Sequence, residues 1–331
     1  MDKIRANRKK LIMILLVCTV IMWLLNIGLG AVSISLSQMW EVLVMGEESP
    51  TRRILLYVRI PRTCGAALCG MGLAVSGAVI QTVLGNTLAG PNIIGVNAGA
   101  GFVVVLCGSL LPGMYGMVPL AAFFGAFITV IMVYLLSRYT GSSKITLVLS
   151  GIAINSLLSA ATDVIYTFDA DSLVRSNGFR IGGLSGINIS VLIPAGVAIV
   201  TAVVVTAALH NEMEVLSLGD ETAKTLGLPT TFYRFVFLAL AAVLAGASVS
   251  FAGLLGFVGL MVPHIARTLV GDECQYLVAT SAICGALLVL VCDLLARMIF
   301  APYELPVGIV LSFIGAPFFL YLLICQRGKQ S

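Results

Sequence analysis

The sequence predicts an all-α membrane protein with about ten transmembrane helices. Three observations lead there. Of 331 residues, 59% are apolar and only 10% charged, a balance that soluble globular domains do not carry. Apolar runs recur at about 20 residues, the length a helix needs to cross roughly 30 Å of hydrocarbon. The cations also divide unevenly between alternate connections, the asymmetry that orients a membrane chain.

The first run, 11–30, follows Lys3, Arg5, Arg8, Lys9 and Lys10. A secretory signal begins in the same way. This run is long, however, and no clear small-x-small cleavage site precedes the next polar loop, so it reads as a retained helix with its N-terminus in the cytoplasm. A polar connection at 31–61 leads to the second run, 62–84, where Gly65, Gly70, Gly72, Ser76 and Gly77 favour close helix contact. The turn Gly85-Asn-Thr-Leu-Ala-Gly-Pro-Asn92 interrupts the chain before 93–111, which carries the close-packing spacing Gly95-x-x-x-Gly99. Runs 116–137 and 145–167 follow.

After a polar connection at 168–189 comes 190–209, and after another at 210–231 comes 232–252. The run 256–270 is short and Gly-rich, and is expected to cross only partly. Runs 277–300 and 305–325 complete the set. The turns at 85–92 and 257–264 occupy corresponding places in the segments 62–167 and 232–325, which suggests an internal repeat. Five helices per half would make it inverted. Residues 1–331 read as one transmembrane domain with no soluble appendage.

Counting ten crossings from a cytoplasmic N-terminus puts 12 of the 19 Lys and Arg inside, including all six lysines, and brings both termini inside. The seven outside are all arginines: Arg52, Arg53, Arg59, Arg62, Arg175, Arg180 and Arg297. A planar guanidinium suits bidentate carboxylate recognition, so an arginine-only outer face hints at an acidic partner.

Other chemistry finds little support. The eight cysteines lie mostly in apolar runs and form no CxxC, so they read as small apolar packers. His210 and His264 are too few and too far apart for a paired-histidine zinc site. The chain has no phosphate-loop motif and no Gly-x-Ser-x-Gly elbow. Among the ionisable residues within apolar runs are Asp163, Asp293 and Arg297, and the last two stand four apart and can pair. None sits near mid-membrane, which weighs against the alternative reading, a secondary transporter of a small solute.

One polar island remains, Leu216-Ser-Leu-Gly-Asp-Glu-Thr-Ala-Lys-Thr-Leu-Gly-Leu-Pro229. Asp220, Glu221 and Lys224 lie on a short helix-forming run closed by Gly227 and Pro229, which stop helices. A small amphipathic helix on the aqueous face of a hydrophobic protein points to a docked partner.

The motifs then fall into a recognisable order. Arg59-Ile-Pro-Arg-Thr63 opens a helix that continues Gly72-Leu-Ala-Val-Ser-Gly-Ala-Val-Ile-Gln81. Asn86-Thr-Leu-Ala-Gly-Pro91, Gly95-Val-Asn-Ala-Gly-Ala100 and Leu149-Ser-Gly-Ile-Ala153 follow, then the polar island. Last come Gly256-Phe-Val-Gly-Leu-Met-Val-Pro-His-Ile-Ala-Arg267, Asp293-Leu-Leu-Ala-Arg297, Glu304-Leu-Pro-Val-Gly308 and Gly315-Ala-Pro317. From about residue 55 to its end the chain resembles the membrane permeases of bacterial ABC importers for iron-siderophore complexes, haem and cobalamin.

That resemblance implies a multi-pass protein of the bacterial cytoplasmic membrane, with a second permease subunit as homodimer or close heterodimer. Two cytoplasmic ATPases and an extracytoplasmic substrate-binding protein complete the assembly. It implies no enzyme activity, cofactor, metal site or nucleic-acid partner in the permease itself. The loop at about 211–229 becomes the ATPase coupling segment, with Leu218, Gly219, Asp220, Glu221, Lys224, Leu226 and Gly227 as its residues. Arg59, Arg62 and Arg297 become the docking residues for the binding protein. The cytoplasmic gate falls at Asn86, Thr87, Leu88, Ser142 and Ser143. Two positions depart from the family's habit: Thr87 stands where Pro is common, and Phe179 where Trp is common before Gly182-Gly183. The motifs do not distinguish among siderophore, haem and cobalamin.

Overall fold

In the computed structural model, residues 2–29, 50–111, 113–141 and 144–327 are described. Ser142 and Ser143 of the expected gate lie outside them. We number the helices α1 Asp2–Gly28, α2 Ile60–Leu84, α3 Val96–Leu110, α4 Val118–Tyr139, α5 Lys144–Phe168, α6 Ala170–Ile181, α7 Ile189–Ala208, α8 His210–Ser217, α9 Asp220–Thr225, α10 Thr230–Ala252, α11 Val258–Val270, α12 Cys274–Met298 and α13 Val307–Arg327. Among the described residues, seven helices are long and apolar enough to cross a membrane, and three shorter apolar ones accompany them. These coincide with the ten runs read from the sequence. At 13 residues, α11 rises only about 20 Å, so it cannot span the hydrocarbon alone.

Two polar connections are more ordered than composition suggested. Residues 50–59 are helical: Pro50–Ile54 and a π-helical turn, Leu55–Arg59, run directly into α2. The register shift of a π turn turns Leu55 and Arg59 inward, and both are buried. The connection 168–189 contains α6, capped by Asp169, whose side chain accepts from the Ser172 amide.

Helix α2 is the axis of the bundle and is buried along most of its length. It packs on α12, α10 and α11, while α10 packs on α2, α4 and α7. Small residues permit these approaches. A Cβ at Gly70 would meet the backbone of Gly285 on α12, and one at Gly77 would meet the Gly259 carbonyl on α11. A Cβ at Gly99 of α3 would likewise meet the Gly125 carbonyl on α4.

The two halves repeat this plan in opposite directions. In the first half, α3 packs on α4; in the second, α11 packs on α12. Across the halves, α2 packs on α12 and α10 on α4. The third span of each half is short and starts from a left-handed residue, Gly95 (φ 91°) before α3 and Phe257 (φ 64°) before α11. Helix α2 runs toward the end that holds α8 and α9, and α10 runs away from it. This is the inverted five-helix repeat.

Candidate functional site

Four groups of residues stand out, and they separate to the two ends of the bundle. At one end lie the expected docking arginines. All three are buried in this chain, with 5% exposure for Arg59, 7% for Arg62 and 4% for Arg297. Arg59 donates through Nη1 to the carbonyls of Ile27 at 2.7 Å and Gly28 at 2.8 Å. Arg297 donates to the Asn26 carbonyl at 3.2 Å, its Oδ1 at 2.6 Å and the Leu29 carbonyl at 3.2 Å. Those carbonyls belong to the last turn of α1, where a helix has no partners of its own and its dipole favours a cation.

Arg62 instead pairs with carboxylates. Its Nε donates to Asp293 Oδ1 at 3.0 Å and its Nη1 to Glu304 Oε2 at 2.5 Å. Asp293 also meets Arg297 Nε at 3.3 Å, the pairing that the four-residue spacing anticipated. The arginines are thus occupied within the chain and do not form a bare cationic face. Arg175 pairs with Asp169 at 2.6 Å, and Arg180 stacks over Tyr166 at 5.6 Å. Arg62, Arg175 and Glu304 nevertheless border an open cavity of ≈ 740 Å³ at this end, with Phe179 and Phe251 among its walls.

At the opposite end, α8 and α9 form the polar island. The expected short helix is present as Asp220–Thr225. Its stop is a two-bond C-cap: the Gly227 amide donates to the Lys224 carbonyl at 2.9 Å, and the Leu228 amide to the Ala223 carbonyl at 3.0 Å. Gly227 adopts φ 82°, which the cap requires and a side chain resists. One face of α9 is fixed to the body through buried Ala223 and through Asp220, whose two carboxylate oxygens both accept from Arg234 of α10. The other face is open. Leu218 is 58% and Leu226 62% exposed, with Glu221 and Lys224 exposed between them. Asp220 is therefore an anchor of the island, not a freely solvated member of it.

The turn after α2 lies at the same end. Asn86 and Thr87 are exposed and Leu88 half-buried, and the Leu88 amide donates to Asn86 Oδ1 at 2.9 Å. Beside this turn rises α5, which keeps one long face uncovered. Ala153, Ser156, Ala160, Asp163 and Thr167 recur at three- and four-residue steps along it, and all are exposed. Small and polar groups at helical spacing suit a water-filled pathway or a partner helix, not lipid.

Sequence reading missed Arg234, Glu304 as the partner of Arg62, and Asn155, whose side chain meets the Asn92 carbonyl. Arg234 and Asn155 carried a usable signal, since a polar side chain in an apolar run must find a partner. Nothing local marked Glu304. Among the described residues no group of His, Cys, Asp or Glu is arranged to hold a metal ion.

Residues 18–325 match the FecCD transport family. The chain is 38% identical to the Fe(3+)-citrate import system permease protein YfmD of Bacillus subtilis, over 92% of this chain and 91% of that one. It is 34% identical to the hemin transport system permease protein HmuU of Yersinia pestis, over 99% of each. A solved metal-chelate type ABC transporter in an inward-facing conformation superposes with a TM-score of 0.85, at 28% identity, covering 96% of this chain and 99% of that one. With the ten-span inverted bundle and the motif order, these matches show that the chain belongs to the FecCD transport family.

Proposed function

We propose that this chain is the permease of an ATP-driven importer for an iron chelate or haem, working beside a second permease and two ATPases. Its relatives are named for ferric citrate, hemin and hydroxamate import, which favours a bulky iron complex as cargo. The observation that carries the reading is α9. An apolar bundle holds out a short helix whose inner face is fixed by Asp220 and Ala223 and whose outer face offers Leu218, Glu221, Lys224 and Leu226. Two exposed leucines flanking two charges make a docking surface of the usual kind, an apolar centre with a polar rim.

The remaining roles follow from the same geometry. Two copies of the open face of α5 would enclose a pathway that neither forms alone. Asn86, Thr87 and Leu88 close it at the α9 end; Ser142 and Ser143, outside the described residues, keep the gate role that the resemblance implies. The cations of that end, among them Lys144, Lys224 and Arg267, support placing it, and both termini, in the cytoplasm. An acidic binding protein would then approach the opposite end, where Arg62 borders the open cavity beside Glu304. Because Arg59 and Arg297 are already committed to α1, their part in docking is to hold the platform that Arg62 edges. ATP supplies the difference in free energy between inward and outward states by favouring one of them.

Uptake of a labelled ferric chelate, measured with the cognate ATPase intact or inactivated at its phosphate loop, tests the reading. Uptake should require the intact ATPase. Uptake that continues without it, and collapses with the proton gradient, would favour the secondary carrier.

A further inference from the structure

The gate turn and α5 are held together at three points on one side of that helix. At its first residue, Lys144 sets its ammonium beside Gly85, where a Cβ would lie 2.9 Å from Nζ. Gly85 is the left-handed C-cap of α2 (φ 62°), so the cation stands at a helix C-terminus, where it is favoured. Seven residues on, Gly151 brings the α5 backbone so close to the Ile93 carbonyl that a Cβ would strike its oxygen. Four residues further, Asn155 Nδ2 donates to the Asn92 carbonyl at 2.8 Å. The spacing of seven and four puts all three on one face.

The side-chain amide at 155 has a cost. Its Oδ1 is buried and has no hydrogen-bond partner among the described residues. An apolar residue would fill the space without leaving an acceptor unpaired. What the amide adds is the bond to Asn92, and the reversed amide would set oxygen against oxygen there.

The inverted half isolates this feature. There α13 presents Gly315 to Phe257, the residue that precedes α11, as α5 presents Gly151 to the turn that precedes α3. Four residues after Gly315 stands Phe319, which has no donor. Close glycine packing of the fifth span on this turn is therefore common to both halves. Among the described residues, the side-chain hydrogen bond from this span to the turn is at the α9 end.

We propose that Asn155 is a positioning residue that joins the 85–95 turn to α5 as one body, so that Asn86, Thr87 and Leu88 travel with the pathway helix when the gate works. The gate assignment itself belongs to the function proposed above. The two fifth-span contacts then differ in kind: the one at the α9 end adds a side-chain hydrogen bond, and the one at the opposite end rests on glycine packing against Phe257.

The test uses the complete importer in lipid nanodiscs, with spin labels at Thr87→Cys and Ile152→Cys in one permease and unlabelled permease as diluent. The Thr87–Ile152 distance should stay the same with and without ATP. In a separate sample labelled only at Thr87→Cys, the distance between the two permeases should change. Asn155→Leu should broaden the Thr87–Ile152 distribution and lower chelate imported per ATP hydrolysed by roughly fivefold, the weight of one net hydrogen bond. Asn155→Gln, which keeps the donor, should recover part of both. A Thr87–Ile152 distance that changes with nucleotide overturns the proposal, and so does a distribution that Asn155→Leu leaves narrow. If the Thr87 distance between permeases never changes, the gate reading fails, and the Asn155→Leu distribution alone then decides whether the turn and helix are joined.

Discussion

Arg62 in the first turn of α2 donates to Asp293 near the far end of α12 at 3.0 Å, across 231 residues of sequence. The carboxylate is fully buried and is flanked on its other side by Arg297 at 3.3 Å. Two cations around one anion, with a second anion at the rim, join the starts and ends of α1, α2 and α12 into one block. The block lies beside the cavity at which a binding protein would arrive.

Removing the central carboxylate should therefore cost far more than removing the outer one. Asp293→Ala strands two buried guanidinium groups, a change worth about 3–5 kcal/mol. Glu304→Gln removes a partly exposed partner and should cost less than about 1 kcal/mol. Thermal denaturation of the purified permease in detergent would compare them. Equal midpoints would mean that Asp293 does not hold the block together. A double change of Arg62 and Asp293 to leucine should recover only part of the loss, because Arg62 no longer stands unpaired while Arg297 still lacks its carboxylate.

The glycine contacts give a second comparison. Gly70→Ala drives a methyl group into the backbone of Gly285, which cannot move aside as a flexible side chain could. Overpacking of this kind costs about 1–3 kcal/mol. Gly178→Ala on α6 meets nothing within 4 Å and has helical backbone, so it should be neutral or slightly stabilising. The ratio of folded permease to aggregate on gel filtration would read both. Similar losses at the two positions would show that α2 and α12 are less closely packed than described.

A feature is legible in the sequence where its cause lies within one segment. All ten spans were legible because their apolar content lies within each run. The π turn at Leu55–Arg59 and helix α6 were not, since both fall in connections read as polar and owe their order to tertiary partners, the α1 carbonyls that accept from Arg59 and the Tyr166 ring against Arg180. The island at Leu218–Gly227 was legible down to its Gly227 stop, a local signal. That Asp220 is anchored depends on Arg234, fourteen residues on in the next helix. Arg59, Arg62 and Arg297 come together at one end, and their burial was not foreseen. The unpaired carbonyls of α1 come within reach of Arg59 and Arg297 only once the helices assemble.

The two ends of the bundle should prove to be opposite faces of the membrane. With the native cysteines replaced, a cysteine at Lys224 on α9 should react with an impermeant maleimide only after the cells are opened. One at Asp171, exposed on α6, should react in intact cells. Labelling of both from the same side would contradict the path of α2 and α10 between the ends. Reversed sides would keep the fold but invert the proposed orientation.

The last prediction separates anchor from docking surface within α9. Glu221 and Leu226 are exposed and make no contact that holds the body together, so Glu221→Lys with Leu226→Asp should leave expression and melting within about 0.5 kcal/mol of the parent. The double variant should lose ATPase assembly and uptake together, because it reverses a charge and removes an apolar contact on the presented face. Asp220→Ala should act differently. It removes the carboxylate that accepts from Arg234, a buried cation, and lets α9 loosen from α10 while the outer face keeps its chemistry. Assembly should then survive at raised ATPase concentration, but hydrolysis should no longer be matched by transport. Co-purification of ATPase with permease and uptake per ATP, measured on the two variants, would distinguish these outcomes. Full ATP-driven uptake by the double variant would remove α9 as the coupling surface, and loss of assembly in both variants would make Asp220 part of the docking face and not its anchor.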